Sequence, residues 1–270
     1  MAGTQALERG LAVLGTVAAA PSSASIAEIA AALDMPESTT YRVVRALKRC
    51  GLLSGVGRSG VRMGPAVFSL ARSAQRQVAD DIPMIALPFM KELVEATGET
   101  AILTVPYGLD VVCVATVEGP QPLRVSFPKL SVTPLYAGSA VAALAHLDVR
   151  LATLVVASAR GKSYADGRPV SEEHLRQQMA AAREHGFVVS RGEVDAHATS
   201  VGVPLFEGAG RCVAAMSAAA PTERATDDAM AALVRAVMTA GDAISQCLAE
   251  HVSLAPAGTG APRSADQGSQ

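Results

Sequence analysis

Residues 25–50, SIAEIAAALDMPESTTYRVVRALKRC, contain the pattern that decides the fold of the first part of the chain. Ser25 and Glu28 have the spacing of a capping box, which predicts the start of a helix. An apolar face then repeats at helical spacing until the pattern breaks. Pro36 suits the first turn of a new helix, because proline has no N–H to leave unpaired. The stretch therefore predicts two short helices with a tight break between them.

The second of these helices is predicted to bury Val43, Val44 and Leu47 and to expose hydroxyl and basic side chains. Such groups donate hydrogen bonds to phosphates and to base edges in the major groove, as the recognition helix of a helix-turn-helix does. A Gly-rich basic turn at residues 55–60, between two short apolar segments, predicts a wing directly after it. The DNA contacts expected from this pattern are Ser25, Ser38, Thr39, Thr40, Tyr41, Arg42, Arg45, Arg49 and, at the tip of the wing, Arg58.

The charge of the 270-residue chain is unevenly distributed, although its net charge is only −2. Residues 1–78 have a balance of +5, whereas residues 79–270 have a balance of −7. This asymmetry favours a first domain that contacts a polyanion such as DNA. No apolar run is long enough to cross a membrane, and the N-terminus has no signal-peptide pattern, so a soluble cytoplasmic protein without a membrane partner is expected.

Nothing in the sequence has the pattern of a catalytic or cofactor site. The four cysteines lie far apart without metal-ligand spacing and are expected to be buried as small hydrophobic residues. The histidines form no HExxH motif, and no GxSxG motif, dinucleotide fingerprint or P-loop follows a strand. We therefore predict no catalytic residue, no metal and no cofactor, and an enzyme is the least favoured alternative.

The rest of the chain follows the order helix, strands, helices, strands, helix, with turn signals between the strands. We expect one strand at residues 123–127 and a helix at residues 135–147. This order favours an α+β protein whose second domain is an antiparallel sheet around a ligand cup. The predicted organisation is a winged helix-turn-helix at residues 1–64, a linker helix at 65–81, an α/β sensor domain at 82–252, and a disordered tail at 253–270.

In order and spacing, these segments resemble the IclR family of bacterial transcriptional regulators. The resemblance covers about residues 5–249 and includes the segments VRMGPAVFSLA, PLYAGSAVAALA and HGFVVSRGEVDAHATSVGVPLF. It implies a winged helix-turn-helix, a linker helix and a GAF-like effector-binding domain. Proteins of this kind are similar in forming homodimers or homotetramers that bind palindromic operators on double-stranded DNA, often as repressors and sometimes as activators. A small metabolite changes their affinity for DNA.

The resemblance also implies an effector pocket, where this sequence departs from the family pattern. Ser190 stands where the family often has an acidic residue, Ser200 replaces a usual Cys, and Ala219 replaces the second Ser of a Ser-x-Ser motif. We therefore expect either a ligand other than a small oxo- or aromatic acid, or a domain that binds no ligand and only oligomerises. The implied pocket residues are Leu135, Ala137, Gly138, Ser139, Ser190, Ser200, Ser217 and Ala219.

Overall fold

The computed structural model describes residues 2–55, 60–78 and 81–254. It separates the chain into two compact units, Met1–Val78 and Ala79–Gln270. The predicted wing tip with Arg58 lies outside the described residues, and so do residues 255–270 of the predicted tail. The tail was predicted to begin at residue 253, but residues 253 and 254 belong to the last helix. Within the described ranges, every helix is too short or too polar to span a lipid bilayer.

The first unit contains the predicted helix pair and the strands of the predicted wing. Ser25 caps the second helix: its hydroxyl oxygen accepts a hydrogen bond from the Glu28 N–H, and the Glu28 carboxylate accepts one from the Ser25 N–H. The capping box is therefore confirmed. The described elements are helices α1 (Ala2–Ala19), α2 (Ile26–Ala32), α3 (Glu37–Arg49) and α4 (Pro65–Val78), with antiparallel strands β1 (Leu53–Ser54) and β2 (Arg62–Met63).

A small hydrophobic core joins the elements of the first unit. Val13 of α1, Ile29 of α2 and Val44 of α3 are fully or almost fully removed from solvent and belong to one cluster. Val61, beside β2, belongs to the same cluster, and its backbone pairs with Ala24 just before α2. This pairing connects the start of α2 to the wing strands. Together with the shared core, it fixes the orientation of α3 within the first unit.

The second unit is a mixed domain built on one six-stranded antiparallel sheet, which confirms the predicted fold class. The strands follow the order β5-β4-β3-β8-β7-β6. Its described elements are helix α5 (Ile82–Thr97), strands β3 (Thr100–Tyr107), β4 (Asp110–Val117) and β5 (Val132–Pro134), helices α6 (Val141–Leu144), α7 (Val149–Ser158) and α8 (Glu172–His185), strands β6 (Val188–Arg191), β7 (Ala198–Phe206) and β8 (Cys212–Pro221), and helix α9 (Asp227–Leu254).

Successive residues of β7 point to opposite faces of the sheet and show which segment covers each face. Val203 points toward α9, where a Cβ added to Gly241 would lie 2.5 Å from the Val203 side chain. The preceding residue, Gly202, faces the opposite side, where an added Cβ would lie 2.4 Å from the Cβ of Ser139. Because neighbouring residues of a strand point to opposite faces, α9 covers one face and the segment around Ser139 covers the other.

The strand predicted at residues 123–127 is wrong, because this segment is a loop. Threonine side chains, rather than a strand ladder, bond its carbonyl groups. The Thr100 hydroxyl donates to the Val125 carbonyl and the Thr116 hydroxyl donates to the Phe127 carbonyl, both at 2.7 Å. Val125 and Phe127 pack against a hydrophobic cluster of the sheet, which explains the alternating pattern that suggested a strand.

Two other expectations need correction. The helix predicted at residues 135–147 is α-helical only over α6, and a short 3-10 helix, Gly138–Ala140, precedes it. Gly138 has a φ of +72°, which is incompatible with a continuous right-handed helix. The cysteines are not all buried: Cys113 is buried, but Cys50 at the end of α3 is exposed.

Candidate DNA-binding face and effector cavity

The exposed face of α3 carries basic and polar side chains together. Arg42, Arg45 and Arg49 are exposed, and none of them pairs with a carboxylate among the residues that the structure describes. Their spacing of three and four residues places them on one side of the helix. Ser38 is also exposed, and Tyr41 is 48% exposed. The result is a cationic surface with hydrogen-bond donors at its N-terminal end.

Thr40 does not belong to this surface. It is completely buried, and its hydroxyl donates to the Pro36 carbonyl at 3.2 Å. The expectation that Thr40 contacts DNA is corrected for this reason: the helix turns this side chain toward the core, on the same side as buried Val44. The neighbouring Thr39 is only partly buried and stays at the edge of the exposed face.

Ser25 and Arg62 lie at two other places on the first unit. Ser25 is exposed, and its oxygen accepts the Glu28 N–H at 3.1 Å, so it fixes the start of α2. Hydrogen bonds from the Ser25 N–H and hydroxyl lower the pKa of Glu28. Arg62 on β2 is exposed and is absent from the predicted DNA contacts, although its place in a predicted wing strand is a usable signal.

A cavity lies in the second unit between the sheet and the 3-10 helix Gly138–Ala140. Its volume is about 60 Å³, small beside the roughly 300–1,000 Å³ typical of sites for drug-sized ligands. Its lining combines apolar side chains with several hydroxyl groups. The lining residues are Ile102, Thr104, Val111, Val125, Phe127, Thr133, Ala137, Gly138, Ser139, Ala140, Ser190, Glu193, Val194, Asp195, Ala198, Ser200, Ser217 and Ala219.

The sheet register brings together lining residues that are distant in sequence. Ser190 of β6 pairs with Ser200 of β7, and Ser200 pairs with Ala219 of β8. Two positions along β7, Gly202 pairs with Ser217. Since residues two apart on a strand share a face, these side chains form one patch on the floor of the cavity.

Most of the predicted pocket residues line this cavity, and Leu135 does not. Leu135 is fully buried in the hydrophobic cluster that surrounds α6, α7 and α8. Its place next to the Gly-containing segment suggested a pocket role, but its side chain is used for core packing. The predicted residues that line the cavity are Ala137, Gly138, Ser139, Ser190, Ser200, Ser217 and Ala219.

Several serine hydroxyls of the cavity lack a partner. Ser190 and Ser217 are only 3% and 4% exposed. In the described ranges of the chain, neither these two nor Ser139 and Ser200 make a side-chain hydrogen bond. Each of these serines lines the cavity, and a hydroxyl can both donate and accept a hydrogen bond. The hydroxyls are therefore available to a small polar molecule.

The cavity also contains a buried carboxylate that sequence reasoning missed. Glu193 is 5% exposed, and its Oε2 accepts the Gly138 N–H at 2.8 Å while its Oε1 accepts Gln178 Nε2 at 2.9 Å. Burial raises the pKa of the Tyr164 phenol to about 12, and the Glu193 charge adds to this increase. An acidic residue in a Gly-containing turn looks solvent-exposed in the sequence, so no local pattern indicated its burial.

Both units of the chain match models of known protein families. The family model described as the IclR helix-turn-helix domain matches residues 6–57. The model described as the C-terminal part of the bacterial transcriptional regulator IclR matches residues 76–246. The chain belongs to the IclR family of bacterial transcriptional regulators.

Individual relatives agree with this family. The HTH-type transcriptional repressor AllR of Salmonella typhimurium (strain LT2) is 29% identical over 229 residues, which cover 84% of this chain and 83% of AllR. AllR of Escherichia coli (strain K12) is 28% identical over the same length, with the same coverage. Both are similar to this chain over most of their own length.

Solved structures of IclR proteins share the fold. The Thermotoga maritima IclR has a TM-score of 0.67 at 20% identity, covering 91% of this chain and 99% of its own. An IclR homolog from Microbacterium hydrocarbonoxydans, complexed with 4-hydroxybenzoate, has a TM-score of 0.69 at 24% identity, covering 90% of this chain and 98% of its own. At these identities the likeness establishes the architecture.

Proposed function

We propose that this IclR-family chain is a homodimeric repressor that binds a palindromic operator, with an affinity that a small metabolite in the second-unit cavity changes. The observation that carries the proposal is the exposed face of α3, where Arg42, Arg45 and Arg49 have no carboxylate partner in the described parts of the chain. A cationic helix face of this kind is suited to a polyanion.

We propose that α3 enters the major groove. Ser38, Thr39 and Tyr41 lie in its first turns, the part of a recognition helix that reaches base edges. Guanidinium groups donate in a fixed fork that matches phosphate oxygens or the acceptors of guanine. The arginines further along α3 then bind bases or backbone, while Arg62 of β2 binds the adjacent phosphates.

Two copies are needed for a two-fold operator. A dimer places two recognition helices about 34–36 Å apart, one turn of the DNA helix. Exposed apolar residues of the first unit supply a surface for such pairing: Leu7 and Leu11 on α1 are 64% and 59% exposed, and Phe68 on α4 is 75% exposed. Exposed apolar side chains that cluster on a helix favour protein contacts. A homotetramer would add a second contact between dimers.

The repressor and effector parts of the proposal draw on similar proteins. AllR is named a repressor, and the Microbacterium homolog holds 4-hydroxybenzoate. Serine hydroxyls that have no partner among the described residues line a small cavity, which supports a ligand site in this chain as well. Because the family consists of transcriptional regulators, we propose that this chain is a regulator and not an enzyme, acting in the cytoplasm where the chromosome is.

Quantitative gel shifts test the proposal. The full-length protein is titrated against DNA from upstream of its own gene and against shuffled DNA of equal length, at several salt concentrations. We expect at least a roughly 1,000-fold preference for a palindromic site, the lower end of typical specificity ratios. The logarithm of affinity should fall linearly with the logarithm of salt concentration, by about 0.9 for each phosphate contacted.

Two further measurements address assembly and regulation. Light scattering coupled to size exclusion should give a dimer or a tetramer. A metabolite panel added to the gel shift should contain at least one compound that changes operator affinity. Equal affinity for operator and shuffled DNA would overturn the proposal that the chain is a sequence-specific regulator. A complete lack of response to metabolites would favour the alternative in which the second unit only oligomerises.

A further inference from the structure

We propose that Arg224 is a positioning residue that holds one wall of the cavity closed. This wall is the loop of residues 118–127, and it opens to admit a small molecule when its bond to Arg224 breaks. The role of Arg224 rests on the proposed function only in taking the cavity as the effector site. It adds the place where that site opens and the side chain that controls the opening.

The cavity is too small for an ordinary metabolite unless part of its wall moves. Its volume is about 60 Å³, whereas sites for small molecules typically measure roughly 300–1,000 Å³. The sheet and the 3-10 helix Gly138–Ala140 supply much of the lining, and the loop of residues 118–127 supplies Val125 and Phe127. Movement of the sheet would break its backbone ladder, so the loop is the wall that can move.

Side chains, rather than a backbone ladder, hold this loop in place. Within the described ranges, no backbone group of residues 118–127 bonds another backbone group. Threonine hydroxyls of β3 and β4 donate to the carbonyls of Val125 and Phe127. The Arg224 guanidinium donates to the Leu123 carbonyl through Nη1 at 2.7 Å. Segments with few backbone hydrogen bonds open at a lower free energy than the sheet beside them.

Arg224 differs from the threonines because it carries a charge and is itself anchored. It ends the 3-10 helix Thr222–Arg224, between β8 and α9. Its Nε and Nη2 donate to the two carboxylate oxygens of Glu99 at 2.9 and 2.7 Å, which leaves Nη1 for the loop. A hydrogen bond from a charged donor is stronger than one between neutral groups.

The bond from Arg224 is the main tie at its end of the loop. The Leu123 side chain is 65% exposed and packs little against the domain, so its carbonyl makes the contact. The Glu99 side chain is only 13% exposed, and its bidentate pair with Arg224 fixes the direction of the guanidinium. Glu99 and Arg224 together therefore act as a latch on the loop.

Cys113 provides a reporter beneath the loop. It is fully buried, and Val125 and Phe127 pack against the cluster that contains it. Burial raises the pKa of the Cys113 thiol, which makes it unreactive while the loop is closed. Iodoacetamide is a small uncharged molecule that alkylates a thiolate it can reach. Its rate of reaction with Cys113 therefore measures how often the loop opens wide enough for a small molecule to enter.

Arg224→Lys tests the latch in the full-length protein. Lysine keeps the charge but lacks the planar fork that bonds two carboxylate oxygens and a carbonyl at once. Alkylation of Cys113 should become about ten- to hundredfold faster, the change expected when a hydrogen bond to a charged group is lost. Mass spectrometry of peptides resolves the four cysteines. The melting temperature and the rate at Cys247, half-buried on α9, should stay at the wild-type values.

Two further measurements make the result independent of a single variant. Glu99→Gln removes the charge that orients the guanidinium and should also accelerate alkylation of Cys113. Limited trypsin digestion should cut after Arg124, inside the loop, faster in both variants than in the wild type, because cleavage follows the population of the open form. If Arg224→Lys fails to fold, Glu99→Gln decides the question.

Arg211→Lys is the matched control, because Arg211 also pairs with a glutamate, Glu207, but in the turn between β7 and β8. It should leave the rate at Cys113 unchanged. Three results would each overturn the latch: wild-type rates at Cys113 in both latch variants, equal acceleration at Cys113 and Cys247, or the same acceleration in Arg211→Lys.

The gel shift reports on the proposed function independently. If the protein prefers its operator but the latch variants label Cys113 at the wild-type rate, only the role of Arg224 is wrong. If the latch variants label faster but the protein shows no DNA sequence preference, the regulator is wrong and the opening of the loop stands.

Discussion

The two proposed sites of this molecule are built in opposite ways. In the first unit, Arg42, Arg45 and Arg49 stand exposed on one helix, within eight residues of each other. In the second unit, Ser190 and Ser217 are buried on different strands, and only the sheet register brings both of them to the same cavity. One site depends on unpaired charge at a surface, and the other depends on unpaired hydroxyls inside a cavity.

This difference determines what each site tolerates. A surface cation contributes through long-range attraction that salt screens, so its loss weakens DNA binding with little effect on folding. A buried polar group is part of the packed interior, so its loss also changes stability. Mutations should therefore separate function from stability in the first unit and couple them in the second.

The largest expected effect comes from replacing Arg42 and Arg45 together by Gln. If both arginines bind DNA, we expect operator affinity to fall on the order of 100-fold, since each good interaction contributes about 1–3 kcal/mol. The slope of affinity against salt should decrease by about 0.9 for each phosphate that is no longer neutralised. Because both side chains are exposed, the melting temperature should stay at the wild-type value. Gel shifts and thermal unfolding measure the two quantities.

A double replacement in the second unit is the control for net charge. Arg150 and Arg235 are exposed on α7 and α9 and make no ion pair in the described part of the chain. Replacing both by Gln removes the same two charges and should leave operator affinity within about a factor of three of the wild type. An equal loss of affinity in both double variants would mean that the α3 face has no special role.

The same contrast explains how far the sequence could predict each site. The helix pair was readable because a capping box, a proline and an apolar periodicity all act within a few residues. The α3 face followed from that local pattern. Thr40 was wrongly predicted to contact DNA because the sequence does not show which hydroxyl residues of a first turn face solvent. In the structure Ser38 is exposed, whereas Thr40, two residues later, is buried.

The residues of the cavity could not be predicted from local sequence patterns in the same way. The serines at positions 190, 200 and 217 are implied by family resemblance, since no local pattern brings residues of three strands together. Glu193 was missed because its burial depends on the Gly138 N–H, 55 positions away in sequence. The misread strand at residues 123–127 has a similar cause, because side chains of β3 and β4 fix that loop.

The next largest effect is expected for Thr100→Val. The Thr100 hydroxyl donates to the Val125 carbonyl and accepts from the Gly119 N–H at 3.3 Å, so it ties a loop at the cavity to the sheet. Valine has nearly the same shape but leaves both groups unpaired, which should reduce the free energy of unfolding of the second unit by about 1–3 kcal/mol. Scanning calorimetry of the full chain measures this decrease.

Thr40→Val is the matched comparison in the first unit, because Thr40 is also completely buried. Its hydroxyl bonds only the Pro36 carbonyl, which already accepts two backbone N–H groups at 3.0 Å. Its replacement should therefore cost less than about 1 kcal/mol. If Thr40→Val and Thr100→Val were equally destabilising, the hydrogen bonds that Thr100 makes to the loop would not contribute more to stability than the single bond of Thr40.

The smallest effect concerns the capping box and depends on pH. Hydrogen bonds from the Ser25 N–H and hydroxyl lower the pKa of Glu28 in the folded protein below its ordinary value of 4.5. A carboxyl group whose pKa is lower when folded stabilises the fold above its unfolded pKa, and this contribution disappears as pH falls through the folded pKa. Glu28→Gln should therefore lower the melting temperature slightly at pH 7, and the melting temperatures of the variant and the wild type should converge below about pH 4.

Glu8→Gln on α1, where the structure describes no bond to the carboxylate, is the control, and its melting temperature should equal that of the wild type at every pH. A Glu28→Gln difference that persisted unchanged into acid would show that helix capping here does not depend on the charge.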